Sequence, residues 1–240
     1  MEMQFLVEGR GLYKGYNLVQ AVDGVDVQVR AGEFVALVGP TGSGKTTLLS
    51  LLAGLEEPDQ GEVWLMGQRL QDLNEDARAD LRGQAVGMIY QSINLFPGFS
   101  VRENLGLPLR LMVRPPFDPH HRAQELLNLY GLQRLADRYP GELSGGERQL
   151  VAIARALAAQ PPLILADEPT ANLDSASARQ ITARLRALVD SGAHGVLLAT
   201  HDLRVAGQAD RVLSMRDGRI VKELILTPGR STRDVLAELA

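Results

Sequence analysis

Apolar positions along this chain follow two periods, and each period predicts its own elements. Near-continuous apolar runs at 33–38, 163–166 and 195–200 read as strands buried on both faces. β-rich runs at 5–8 and 25–29 open the chain, and 61–65 and 86–90 read as further strands. Helical spacing covers 45–53, 101–113, 120–130, 147–159 and 176–189, with a short helix after Asp202. Two more strands, 211–215 and 219–224, follow, and residues 231–239 read as one amphipathic helix.

The order of these elements predicts the architecture. Strands alternate with helices from residue 163 onward, which implies an α/β fold with a largely parallel, buried sheet. A mostly helical insert, at about residues 92–160, separates two β-rich halves. Pro115, Pro116 and Pro119 punctuate it, and Pro161 and Pro162 end its final helix. The expected division is one domain over 1–226 and a C-terminal helix within 227–240.

Composition narrows the class. At 240 residues with 45% hydrophobic content, the chain can bury a full core. A net charge of -4 gives no basic footprint for nucleic acid, so none is expected as a partner. Zero cysteines remove disulfides and thiolate metal sites. The uninterrupted apolar runs fall far short of the roughly 20 residues needed to cross a bilayer, so membrane association is expected only through a partner. The N-terminal residues show no basic leader followed by an apolar stretch, and a cytoplasmic location is expected. His120 and His121 adjoin on a helix, point apart and lack a third ligand, so they read as surface residues.

The chemistry is concentrated in three segments. Gly39, Pro40, Thr41, Gly42, Ser43, Gly44, Lys45 and Thr46 follow an apolar strand and open a helix, the context of a phosphate-binding loop. Its glycines let backbone N–H groups turn inward, Lys45 reaches the β- and γ-phosphates, Thr46 holds Mg²⁺, and Thr47 lies on the α-phosphate side. A second apolar strand ends in Asp167 and Glu168. Asp167 suits Mg²⁺ coordination through water, and Glu168 suits the general base that activates an attacking water. These two segments leave many nucleotide-binding families open. The third, Leu143-Ser144-Gly145-Gly146-Glu147, decides among them.

With that segment the sequence resembles the ATP-binding-cassette ATPases, from Phe5 to about Leu226. The resemblance implies a P-loop NTPase core with a mixed, largely parallel sheet, an N-terminal antiparallel β subdomain and a helical insert subdomain. It implies ATP and Mg²⁺ as ligands, and a dimer of two copies or of two paralogues that sandwiches two ATPs. Ser144, Gly145 and Gly146 would then complete the ATP site of the opposite subunit. Gln91 corresponds to the glutamine that senses Mg²⁺ and water. His201 corresponds to the switch histidine at the γ-phosphate, Asp174 to an acid of the dimer-interface loop, and Tyr16 to the adenine platform. Two positions depart from the family pattern: Leu150 stands where arginine is common and Ala171 where glycine or serine is frequent. The first puts a polar contact of the signature helix in doubt.

Residues 90–105 and Leu107-Pro108-Leu109 are similar to the lipoprotein-releasing, macrolide-export and cell-division group. That likeness implies an integral membrane permease as a separate partner, and a place on the cytoplasmic face of the inner membrane. Leu95, Phe96 and Phe99 are expected either to form a socket for the permease or to pack within the insert. The likeness implies that ATP hydrolysis and dimerisation move that membrane subunit for export or lipoprotein release, with a cell-division-type mechanical ATPase as the alternative function. A soluble cassette ATPase acting on DNA or ribosomes fits less well, because no coiled-coil insertion, zinc cysteines or second cassette is present.

Overall fold

The computed structural model describes residues 5–171 and 173–226. A four-stranded antiparallel sheet is built from β1 (Phe5–Tyr16), β2 (Val19–Arg30), β4 (Gln60–Leu65) and β5 (Gln68–Arg69), in the order β2-β1-β4-β5. The second sheet comprises β3 (Phe34–Val38), β6 (Val86–Ile89), β7 (Leu163–Asp167), β8 (Gly195–Thr200), β9 (Arg211–Arg216) and β10 (Arg219–Ile225). Its order is β10-β9-β3-β8-β7-β6, parallel except for the β9–β10 hairpin. Helices α1 (Lys45–Leu52), α2 (Glu75–Ala85), α3 (Val101–Leu111), α4 (Pro119–Tyr130), α5 (Gly145–Ala156), α6 (Ser175–Asp190) and α7 (Leu203–Ala206) connect them.

Every residue of β3, β7 and β8 is buried, and alternate residues serve different cores. Phe34, Ala36, Ile164, Ala166, Val196 and Leu198 face the core shared with α3, α4 and α5. Val35, Leu37, Leu163, Leu165 and Leu197 face the core under α1 and the antiparallel sheet. This two-sided burial is why these strands read as continuous apolar runs. The parallel order brings the carboxyl ends of β3, β6, β7 and β8 to one edge, where open α/β sheets bind ligands.

Strands β1 and β2 and helix α2 differ from their sequence expectations. β1 and β2 extend well beyond 5–8 and 25–29, because register shifts, as between Gly9 and Leu12, interrupt the two-residue alternation. Helix α2 has no apolar stripe: only Arg78 and Ala85 of it are buried. It is set instead by its ends, with Asn74 Oδ1 accepting from Ala77 N at 2.9 Å, Glu75 and Asp76 in the first turn and Arg82 in the last. The expected helix at 231–239 lies outside the described residues.

The insert is tied together by buried polar groups. Asn104, fully buried on α3, accepts from Phe96 N at 2.9 Å and donates to the carbonyls of Phe96, Phe99 and Ser100 at 3.2, 3.0 and 3.0 Å. This one amide folds the 96–100 turn onto the helix that follows it. Arg122, on α4, donates to the Ala158 and Leu157 carbonyls at 3.0 and 3.2 Å, which secures the end of α5. Asn104→Ala is expected to strand these groups and lower stability by about 2–3 kcal/mol in urea denaturation.

Candidate active site

The phosphate-binding loop spans the end of β3 and the start of α1, and it is shaped by what surrounds it. A Cβ at Gly39 would lie 2.2 Å from the Met215 carbonyl oxygen, and one at Gly44, where φ is 102°, 2.0 Å from that of Ala21. Only glycine fits at either place. Gly42, also at positive φ, has open space beside it. The loop is clamped further where Gly218 N donates to Ser43 O at 3.1 Å.

Lys45 is buried, and its ammonium donates to the carbonyls of Gly39 and Pro40 at 2.8 and 3.0 Å. One of its three donors is left for a ligand. Ser43 Oγ is buried without a hydrogen-bond partner. A cation, an unpartnered hydroxyl and a helix N-terminus therefore converge on one loop, which fits a bound polyphosphate.

Thr46 Oγ1 donates to Asp167 Oδ2 at 2.8 Å. Burial holds the Asp167 carboxyl above its ordinary range; the charge of Glu168 adds to this, and the Thr46 hydrogen bond and Lys45 charge oppose it. A hydroxyl and a carboxylate form an all-oxygen pair, suited to a hard divalent cation such as Mg²⁺. Among the described residues no cluster of three His, Cys, Asp or Glu ligands exists, so phosphate and water oxygens would have to fill the remaining positions.

Glu168 leaves β7 with φ of +46°, a left-handed conformation that costs a non-glycine residue about 1–3 kcal/mol. Its N–H donates to Ala199 O at 2.9 Å, and its carboxylate turns to His201, whose Nδ1 lies 2.9 and 3.0 Å from the two oxygens. Because the carboxylate can only accept, Nδ1 carries the proton. The Glu168 side chain is 10% exposed and that of His201 66%, so the histidine covers the acid from the solvent side. Gln91 lies two residues past Ile89 as Glu168 lies two past Ala166, and Ile89 and Ala166 are register partners. The glutamine thus leaves the adjacent strand at the level of the acid.

Tyr16, 41% exposed, donates its hydroxyl to Glu56 and sits beside the Thr47 side chain. The Lys14 ammonium lies 5.8 Å from its ring centroid. Burial and then Glu56 push the phenol above its usual range.

Ser144, Gly145 and Gly146 stand apart from this constellation. Ser144 caps α5: its hydroxyl donates to Glu147 Oε2 at 2.7 Å and accepts from Glu147 N at 3.3 Å. That hydroxyl, and the Ser144 N–H donating to the same Oε2 at 2.7 Å, hold the Glu147 carboxyl below its usual range. A Cβ at Gly145 would meet nothing within 4 Å, and one at Gly146 would reach only Leu173 and Ser177 at 3.9 and 4.0 Å. The glycines are not required by packing within their own chain. Leu150, further along α5, packs on the insert core, so an apolar contact replaces the polar one expected there. Asp174 is taken up in capping α6, accepting from Ala176 N and Ser177 N at 2.9 and 3.0 Å.

Sequence reasoning missed a groove of about 830 Å³ between α2, α3 and α5. Leu55, Phe96, Leu107, Leu111 and Val113 line it, and Leu111 and Val113 are 74% and 81% exposed. Of the three residues considered for a socket, Leu95 packs into the insert core, whereas Phe96 and Phe99 remain on the surface with ring centroids 5.7 Å apart. Their signal was the apolar content of the turn, which could not separate the inward residue from the outward pair.

Comparison with known proteins agrees with this geometry. A family model described as ABC transporter matches residues 22–171. The chain is 44% identical, over 89% of its length and 94% of theirs, to the lipoprotein-releasing system ATP-binding protein LolD of Pseudomonas fluorescens and to that of Pseudomonas syringae pv. tomato. Its fold is similar to the ATP-binding cassette MJ0796, solved as a dimer in a post-hydrolysis state bound to ADP and Pi, with a TM-score of 0.86 and 36% identity over 92% of this chain and 99% of that one. It is also similar to cbiO1 of Clostridium perfringens, part of the cbiONQ transporter complex, with a TM-score of 0.82 and 26% identity over 98% and 92% of the two chains. The chain belongs to the ABC transporter family, as an ATP-hydrolysing, ATP-binding subunit near the lipoprotein-releasing group.

Proposed function

We propose that two copies of this chain, or this chain and a paralogue, close around two ATP molecules and so drive a separate membrane subunit that releases or exports lipoproteins. The observation that carries the dimer is the open face of Gly145 and Gly146: a glycine pair at a helix N-terminus, unoccupied by its own chain, is free to receive an anion from outside. Support for the cargo comes from the two LolD relatives, named for a lipoprotein-releasing system. The site of action is the cytoplasmic face of the inner membrane. Among the described residues no helix is long and apolar enough to cross a membrane, which fits attachment through a partner. The groove beside Phe96 is the seat for a cytoplasmic segment of that partner.

In this reading each residue has one task. The loop amides and Lys45 hold the β- and γ-phosphates, with the lysine exchanging its loop carbonyls for phosphate oxygens. Thr46 and Asp167 hold Mg²⁺, which when bound would draw negative charge from the phosphate oxygens. Glu168 accepts a proton from the attacking water, and His201 fixes the orientation of that carboxylate. Gln91 reaches the same water from the adjacent strand, and Tyr16 stacks on the adenine. Ser144 of the opposing copy turns its hydroxyl from Glu147 to the γ-phosphate, and Gly145 and Gly146 let the amides approach.

Three substitutions test the scheme. Glu168→Gln should lower turnover of MgATP by about 100-fold or more while trapping an ATP-bound dimer in light scattering. A variant that turns over normally would remove Glu168 from the mechanism. Gly146→Glu should leave folding and nucleotide binding intact, because the position opens to solvent, yet abolish the dimer. Gly44→Ala should instead abolish nucleotide binding by driving a Cβ into the Ala21 carbonyl. Fluorescent-nucleotide titration with light scattering separates the two.

A further inference from the structure

Tyr16, the adenine platform of the proposed scheme, is fastened to the helix that carries the phosphate-binding lysine. It closes β1, and its hydroxyl donates to the Glu56 carboxylate and lies beside the Thr47 side chain of α1. Glu56 comes just after α1 and stays tied to it: Leu55 N and Glu56 N both donate to the Ser50 carbonyl, at 2.9 and 3.4 Å. From Lys45 to the tip of the Tyr16 ring, the path therefore runs through one helix and one side-chain hydrogen bond.

The neighbouring bonds hold backbone and leave the ring to Glu56. Lys14 donates to the Glu57 carbonyl at 2.8 Å and to Asp59 Oδ1 at 3.3 Å, and Asp59 Oδ2 accepts from Gly15 N at 2.8 Å. These contacts stake residues 14 and 15 to the segment after α1, but none of them stops a half-exposed phenol from swinging about its own side-chain bonds. The Lys14 ammonium stands over the ring at 5.8 Å from its centroid, which leaves the opposite face for a base. Tyr13 is placed differently. A Cβ at Gly24 would lie 2.9 Å from its hydroxyl, so its tip rests on β2 and not on α1.

A nucleotide whose phosphates are fixed in the loop brings its base to a set distance from α1. A ring already held at that distance loses no freedom when the base stacks on it. We infer that Glu56 is a positioning residue for the nucleobase: by holding the Tyr16 hydroxyl it fixes the ring relative to the phosphate loop, so that stacking and phosphate binding are met together. The inference rests on Tyr16 being the adenine platform. It adds the group that sets how strongly that platform binds.

The test compares MgATP hydrolysis by the full chain with its binding of inorganic tripolyphosphate, which carries the phosphates and lacks the base. Glu56→Ala should raise KM for MgATP by about tenfold with kcat and tripolyphosphate affinity unchanged. Tyr16→Phe, which keeps the ring and loses the hydroxyl, should raise KM by a similar factor, and the two substitutions together should do no more than either alone. Glu56→Gln, whose amide oxygen can still accept the phenol, should restore a KM near that of the unaltered chain, and Tyr13→Phe should have no effect. An unchanged KM in Glu56→Ala, an equal loss of tripolyphosphate affinity, or additive effects of Glu56→Ala and Tyr16→Phe would overturn the inference. Thermal melting of each variant identifies a loss that comes from unfolding, and a Glu56→Gln variant as impaired as Glu56→Ala would also count against it. Unchanged MgATP binding by Tyr16→Ala would instead refute the adenine-platform reading beneath it.

Discussion

The site depends on a loop that has no room for a side chain at two of its glycines, Gly39 and Gly44. Gly39 presses against the Met215 carbonyl at the end of β9, and Gly44 against the Ala21 carbonyl in β2. The loop is thus wedged between the two sheets, and its amides are held in place before any ligand arrives. Preorganisation of this kind lets fixed dipoles stabilise an anion without reorganising as charge develops. The same wedge places α1, and with it Thr46, against the carboxyl end of β7, where the hydroxyl finds Asp167.

The parallel sheet supplies the remaining geometry. Three adjacent strand ends deliver Gln91, Glu168 and His201 to one edge, and the left-handed turn at Glu168 aims its carboxylate at the histidine. The strain at that residue is offset by the Glu168 N–H bond to Ala199 and by burial of β7 on both faces. The N-terminus of α5, in the helical insert, is left open by its own chain at Gly145 and Gly146. In the proposed scheme it is the second half of the ATP site, completed when two chains associate.

Much of this was legible in the sequence. The central strands announced themselves because both their faces are buried, and the phosphate loop because its glycines and its lysine sit between a strand and a helix. The acid pair at the end of β7 was readable for the same reason. What stayed hidden was set by ends and by three-dimensional contacts. Helix α2 lacks an apolar stripe and exists through its Asn74 cap and its charged ends, so periodicity passed over it. The long β1–β2 hairpin was shortened in the reading by its bulges. The inward turn of Leu95 beside the outward Phe96 depends on the Asn104 amide, which no local pattern reveals.

The most direct measurement of the central claim is ATP turnover in a mixture of two disabled chains, Gly44→Ala with a broken phosphate loop and Gly146→Glu with a blocked signature. Each alone should be inactive, and mixing should restore turnover, because one composite site in the mixed dimer joins the intact loop of one chain to the intact signature of the other. A mixture as inactive as its components, or a Gly146→Glu chain that hydrolyses ATP unaided, would contradict a site completed by a second copy.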